Sequence, residues 1–178
     1  MLAQIGVVPD AVVPAHVDER VLKNESPRDH AKRLALAKAA RVREAWTGKP
    51  AIILAADTVV ALGRRILPKA DTDDSVRGCL SLLSGRAHQV MTAVAVSKPD
   101  ASVTYRIATT RVVFDRLTDE AIESYVSCGE GLGKAGGYAI QGRADAFVRQ
   151  INGSYSSVVG LTLYHTRNLL RGAGYPIS

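Results

Sequence analysis

The sequence has few of the residues that would place it in a disulfide scaffold or a membrane. Its 178 residues include only two cysteines, Cys79 and Cys128, which are far apart, so we expect no disulfide framework and no zinc site. No apolar run reaches the roughly 18 residues of a transmembrane helix, and no signal-peptide pattern opens the chain. We therefore expect a cytoplasmic protein that does not associate with membranes.

Aromatic residues make up only 5% of the chain, so the core must consist mainly of Ala, Val, Leu and Ile. With 47% hydrophobic and 22% charged residues, the composition is that of an ordinary globular protein, and residues 1–178 suit a single domain. The formal net charge of +6 favours anionic partners such as nucleotides. A polynucleotide-binding face would need clustered cations and stacking aromatics, which the sequence does not show, so we expect no polynucleotide partner.

Residues 51–60 are the most informative stretch, because an almost continuous apolar run there meets Asp57. Such a run predicts a strand buried on both faces, and a carboxylate at its end would lie at the sheet edge where α/β folds place ligands. Lys69 follows twelve residues later and is itself followed by Asp71, a combination that suits metal-assisted chemistry on a phosphate. The alternative is that Asp57 caps a turn and Lys69 is an ordinary surface cation.

The segment before this strand predicts a long helix. Ser26 and Pro27 form a strong helix start, and the helix should run to about Trp46. Lys38 lies on or beside its apolar face, where it either extends to solvent or points at an anion in a cleft. Further upstream, residues 11–14 predict a short edge strand. Glu19 lies in the loop that follows, and the simplest explanation of the acidic residues there is that they are solvated.

The remaining pattern alternates between helices and strands. It predicts a hairpin at 62–65, helices at 71–85 and 118–129, paired strands at 89–96 and 103–114, a strand at 147–151, and one final amphipathic helix from about 155 to 170. Residues 131–142 contain five glycines and match no standard phosphate-binding motif, so alone they are weak evidence for a ligand loop.

Five segments in order resemble the Maf family of nucleoside triphosphate pyrophosphatases: AADTVV (55–60), LPKA (67–70), LSGRAHQVMTAV (83–94), KAGGYAIQG (134–142) and INGSY (151–155). The resemblance covers nearly the whole chain. It implies an α/β fold in which a mixed, elongated central sheet is flanked by helices, with a cleft between two lobes. It also leaves a homodimer possible.

The resemblance implies hydrolysis of dTTP and UTP to the monophosphate and pyrophosphate with Mg²⁺ or Mn²⁺, a house-cleaning role against non-standard nucleotides. The family's general base matches Asp57, which would hold the metal together with Glu19. The other matching positions are the catalytic lysines Lys38 and Lys69 and the substrate-binding residues Thr58, Gln141, Lys134, Gly136 and Gly137.

The sequence departs from the family pattern in two places. The family's opening strand and its phosphate-binding Ser-x-Ser-Pro-Arg-Arg loop are not found before Gly6, and Thr162 stands where proline is common. Two alternative functions stay open: a pyrophosphatase with another base preference, such as 7-methyl-GTP, and a nucleotide-binding regulator of cell division without catalysis. Gln141 argues against the first, and loss of the phosphate loop would favour the second.

Overall fold

A five-stranded antiparallel sheet organises the fold in the computed structural model, which describes residues 1–177. The strands, in the spatial order β2-β1-β3-β4-β5, are β1 (Ile53–Leu62), β2 (Arg65–Leu67), β3 (Ala87–Ser97), β4 (Val103–Phe114) and β5 (Val148–Asn152). The helices are α1 (Pro27–Ala45), α2 (Asp73–Leu83), α3 (Asp119–Ser127), α4 (Tyr155–Val159) and α5 (Leu163–Gly172). Short 3₁₀ turns lie at Leu2–Ile5 and Arg143–Phe147.

Helix α1 covers one face of the sheet. Its start is encoded locally, because the Ser26 hydroxyl accepts a hydrogen bond from the Asp29 amide at 3.1 Å and Pro27 occupies the first helical position. Three small residues on its buried face let the helix lie close to the strands: Ala31, Ala35 and Ala39 pack with Val59, Met91, Ala93 and Ala95. The predicted long helix is thus confirmed.

The opposite face of the sheet carries most of the core. Helices α2 and α3 pack there around a group of edge-to-face rings formed by His88, Phe114 and Tyr138. At the far end of the same face, α5 and the first 3₁₀ turn cover Val94 and Val96. The sheet is therefore a central layer between helices, which confirms the predicted fold class.

Three local predictions were wrong. Residues 11–14 form no strand, and Val12 is 86% exposed. The predicted final helix is two helices, α4 and α5, because Gly160 has a φ of 127° that breaks the helical path. Asp57 lies in the middle of β1 rather than at the end of a strand or in a turn.

Among residues 1–177, no helix is long and apolar enough to cross a bilayer.

Within residues 1–177, one side of strand β1 is only partly paired, and this free edge borders the candidate site. It pairs with β3 along nearly its whole length, but it pairs with β2 only from Val60 to Leu62. Within residues 1–177, therefore, positions 53–59 have no strand partner on their outer side. Ala56, Asp57 and Thr58, at this edge, line a cavity.

Candidate active site

A cavity of about 190 Å³ lies against the free edge of β1. Five of the predicted site residues line it: Asp57, Thr58, Lys69, Lys134 and Gln141. The far wall is formed by Gly133, Ala135, Tyr138 and Ala139 and by the C-terminal end of α4. A larger and more open groove of about 430 Å³ lies beside Tyr105 and Arg106 on β4, but none of the predicted site residues lines it.

Asp57 and Thr58 reach the same cavity from opposite faces of the sheet. Neighbouring residues of a strand point to opposite sides, so Asp57 faces α1 while Thr58 faces α4. In a central strand these side chains would be separated by the sheet. At the free edge both can contact a single ligand that wraps around the strand.

Four charged side chains form an alternating chain beside this edge. The Lys38 Nζ atom donates to Asp57 Oδ1 at 2.6 Å and lies 2.7 Å from Glu19 Oε1. Glu19 Oε2 in turn accepts from Lys69 Nζ at 2.6 Å. The structure therefore brings together Asp57, Lys38, Glu19 and Lys69, and the Lys38 ammonium pairs with two carboxylates although Lys38 and Glu19 do not line the cavity.

The pKa values of Asp57 and Glu19 differ because their environments differ. Burial raises the pKa of Asp57, and the adjacent Lys38 ammonium only partly opposes that rise. Burial also acts to raise the pKa of Glu19, but hydrogen bonds from Lys38 and Lys69 outweigh it and hold that pKa at about 2. Glu19 is thus the more acidic of the two and stays ionised near neutral pH, whereas Asp57 has the higher affinity for a proton.

The loop that carries Glu19 is tied to α1 by a second ion pair. The buried Glu25 carboxylate accepts from Arg33 Nε at 2.6 Å and lies 2.8 Å from His30 Nδ1. The Arg33 guanidinium also donates to the backbone carbonyls of Asp18 and Arg20, on either side of Glu19. These bonds fix an otherwise irregular segment, and the sequence patterns did not identify them.

The glycine-rich segment is held in place by backbone pairing with residues 68–70. Gly136 donates to the Pro68 carbonyl at 3.1 Å, and Ala70 donates to the Lys134 carbonyl at 3.1 Å. Gly136 and Gly137 have positive φ angles, and a Cβ on either would meet Val60 or the Val76–Cys79 turn of α2. These two glycines do not line the cavity, and they position Lys134 and the loop rather than touching the cavity themselves.

A hydroxyl group that sequence reasoning missed lies behind Thr58. The Thr92 side chain on β3 is fully buried, and its Oγ1 is 2.8 Å from the Thr58 Oγ1. The available signal was a polar residue in the apolar stripe of Val90, Thr92 and Val94, since buried hydroxyls need hydrogen-bond partners.

The carboxylates fit a divalent cation only if the ligand contributes as well. Among the described residues 1–177, no group of three or more His, Cys, Asp or Glu is placed to hold a metal. Asp57 and Glu19 nevertheless contact one common cation, the Lys38 ammonium, so their oxygens converge on a positive charge. Mg²⁺ is commonly held by one or two carboxylates together with substrate phosphates, and this donor pair matches that pattern.

Comparison with known proteins gives consistent matches across the chain. The family model described as Maf-like protein matches residues 1–173. A dTTP/UTP pyrophosphatase of Caulobacter vibrioides is 54% identical over 175 residues, which are 98% of this chain and 90% of the relative. The dTTP/UTP pyrophosphatases of Zymomonas mobilis and Paramagnetospirillum magneticum are each 52% identical, covering 100% and 98% of this chain and 87% and 91% of their own lengths.

Proposed function

Because the chain belongs to the Maf family, we propose that it hydrolyses dTTP and UTP to the monophosphate and pyrophosphate. Relatives that bear this name are 52–54% identical over nearly the whole chain. The observation that carries the proposal is the edge cavity, whose lining includes a buried carboxylate, two lysines, an amide and a hydroxyl group. A cytoplasmic location accords with such a substrate and with the two free cysteines.

The proposed reaction is attack of water on the α-phosphorus. The new P–O bond forms as the bridging bond to the β-phosphate breaks, so the monophosphate and pyrophosphate separate and one proton is released from the water. Asp57 accepts that proton, because it is held rigidly in β1 and its pKa is raised by burial. Lys38 and Lys69 neutralise charge on the phosphate oxygens as point cations.

Asp57 and Glu19 would hold the divalent cation, either Mg²⁺ or Mn²⁺. When bound, that cation would neutralise the triphosphate charge and orient the phosphates. In the absence of ligand, Lys38 supplies the positive charge between the two carboxylates. Binding of a triphosphate would give Lys38 and Lys69 new anionic partners in place of Glu19.

The base would lie on the other side of the edge, against α4. Gln141 offers both a donor and an acceptor, which suits the edge of a pyrimidine, and Thr58 adds a small hydroxyl group. Lys134 lies at the rim of the same cavity, where it can contact the anionic part of the nucleotide.

The test is pyrophosphate release from dTTP, UTP, 7-methyl-GTP and ATP with Mg²⁺ or Mn²⁺, measured for the wild type and for Asp57→Asn. We expect turnover of dTTP and UTP and a loss of about 10²–10⁴-fold in the variant, the range of general-base catalysis. The control is Asp100→Asn, because Asp100 lies in the exposed β3–β4 turn, where it accepts from the Ser102 amide and hydroxyl, and does not line the cavity. An Asp57→Asn variant with full turnover would remove Asp57 from this role, and nucleotide binding without any turnover would favour a regulator.

A further inference from the structure

A chain of buried hydroxyl groups runs from the cavity into the core. Thr58 lines the cavity, and its Oγ1 atom lies 2.8 Å from the Thr92 Oγ1 atom on the neighbouring strand. The Thr92 Oγ1 atom lies 2.6 Å from the backbone carbonyl of Ser157 in α4. Thr92 and Ser157 are both fully buried, so no water is available to replace these bonds.

The positions of the protons in this chain follow from counting donors. A hydroxyl group carries one proton and can accept two hydrogen bonds, whereas a carbonyl can only accept. Thr92 must therefore give its proton to the Ser157 carbonyl, which leaves it only lone pairs for Thr58. Thr58 must give its own proton to Thr92, so it presents only lone pairs to the cavity.

The carbonyl at the end of the chain is itself held firmly. The Ser157 hydroxyl donates to the Ser154 carbonyl at 2.7 Å, at the start of α4. On the sheet side, Thr58 and Thr92 are direct cross-strand partners in the β1–β3 register. Both ends of the relay are thus fixed, and the 2.6 Å contact with the Ser157 carbonyl is a hydrogen bond only if Thr92 is its donor.

We propose that Thr92 is a positioning residue that sets base specificity by making the Thr58 hydroxyl an obligate acceptor. This inference rests on the proposed nucleotide hydrolysis. An acceptor at this point favours a base with a ring N–H, and the N3 position of uracil and thymine is such a donor. Cytosine has an unprotonated N3, so two sets of lone pairs would face each other and the base would be rejected.

The first test compares kcat/KM for UTP and CTP in the wild type, Thr92→Val and Thr92→Ser. Valine keeps the shape but releases the Thr58 proton, so we expect the UTP/CTP ratio to fall by about tenfold, the scale of one buried unpaired polar group. Serine keeps the hydroxyl group and should restore the ratio. An unchanged UTP/CTP ratio in Thr92→Val would overturn the proposal, including the case in which kcat/KM falls equally for both nucleotides.

Thr110→Val is the matched control for this test. Thr110 is also a fully buried strand threonine bonded to Ser157, but it does not contact Thr58. It should lower the melting temperature as Thr92→Val does and leave the UTP/CTP ratio unchanged. A shift of the ratio in Thr110→Val equal to that in Thr92→Val would show a general effect of α4 and contradict the specific role.

A second test needs no variant and therefore does not depend on whether Thr92→Val folds. The wild type is given UTP and N3-methyluridine triphosphate, which lacks the ring N–H. We expect kcat/KM for the methylated nucleotide to be lower by at least about tenfold. Equal turnover of the two would refute the role of Thr58 as acceptor, whereas absence of UTP turnover would refute the proposed function itself.

Discussion

Replacing Lys38 by methionine should expose how much the charge chain beside β1 contributes to stability. The Lys38 ammonium contacts Asp57 at 2.6 Å and Glu19 at 2.7 Å, and the Lys38 and Asp57 side chains are only 17% and 6% exposed. Methionine preserves most of the aliphatic stem, so the change chiefly removes the charge. Asp57 is then left as a buried carboxylate without its cation.

The expected loss follows from that burial. Removing one partner of a buried ion pair typically destabilises the fold by about 3–5 kcal/mol, because the remaining charge stays desolvated. We take the lower end, about 3 kcal/mol, since Glu19 is 36% exposed and can recover water. With a urea m-value of about 2 kcal/mol/M, the unfolding midpoint at pH 8 should fall by about 1.5 M.

The loss should depend on pH in a defined direction. Burial already raises the pKa of Asp57, and removal of Lys38 raises it further, so the folded state binds a proton more readily than the unfolded state. Stability of the variant is therefore retained at low pH and lost as pH rises through the folded pKa. Urea titrations at pH 5 and pH 8 test this, and the Lys38→Met penalty should be smaller at pH 5.

Two further variants test whether the loss of stability comes from the unpaired Asp57 carboxylate. Adding Asp57→Asn to Lys38→Met should recover much of the lost stability, because the uncompensated charge is gone. Lys32→Met is the control on the same helix, since that ammonium lies 4.9 Å above the Tyr105 ring and should give a much smaller midpoint shift. A Lys38→Met shift no larger than the Lys32→Met shift would refute the reasoning.

The remaining predictions concern the core behind the cavity. Burial lowers the pKa of His88 to about 4, so stability should fall by about 3 kcal/mol between pH 6.5 and pH 4, and a His88→Phe denaturation profile should be flatter there. Gly136→Ala should destabilise by at least about 2 kcal/mol, because Gly136 has a φ of 69° and a Cβ would lie 2.7 Å from Val60. Gly129→Ala, at a φ of 74° with open space, should destabilise less, and equal losses would contradict the packing argument.

Features that rest on local hydrogen bonds could be predicted from the sequence. Ser26, Thr72 and Thr118 each precede a helix and each accepts a bond from the amide three residues later. These contacts span one turn, so the sequence window contains both partners. The hairpin at 62–65 was predictable for the same reason, since Gly63 takes the positive φ of 61° that the turn needs.

Features that depend on distant partners could not be predicted in this way. The valines at 12 and 13 favour a strand, but no described strand lies beside them, and without a partner the segment stays irregular. In the final segment, the apolar period continues through Gly160. The apolar period predicts which side chains are buried, but it does not predict the Gly160 φ of 127° that separates α4 from α5.

The site was only partly predictable for the same physical reason. Asp57 stood out because an apolar run meets a carboxylate there, but its partner, Lys38, lies on a helix 19 residues away. Glu19 comes from an irregular loop, and only the family resemblance indicated its place in the cleft. Thr92 was not identified, because its role depends on a cross-strand neighbour and on a carbonyl 65 residues away.

The register of β1 against β3 links the two halves of the site. Asp57 lies opposite Ala93 and Thr58 lies opposite Thr92. A slip of one residue would turn the carboxylate toward α4 and the hydroxyl toward Lys38, because successive strand residues alternate between faces. The proposed catalytic group, Asp57, and the proposed specificity group, Thr58, therefore cannot be displaced independently at this edge. Val59 and Val60 hold the register by being buried in the two separate cores, so each face of the strand secures the group on the other.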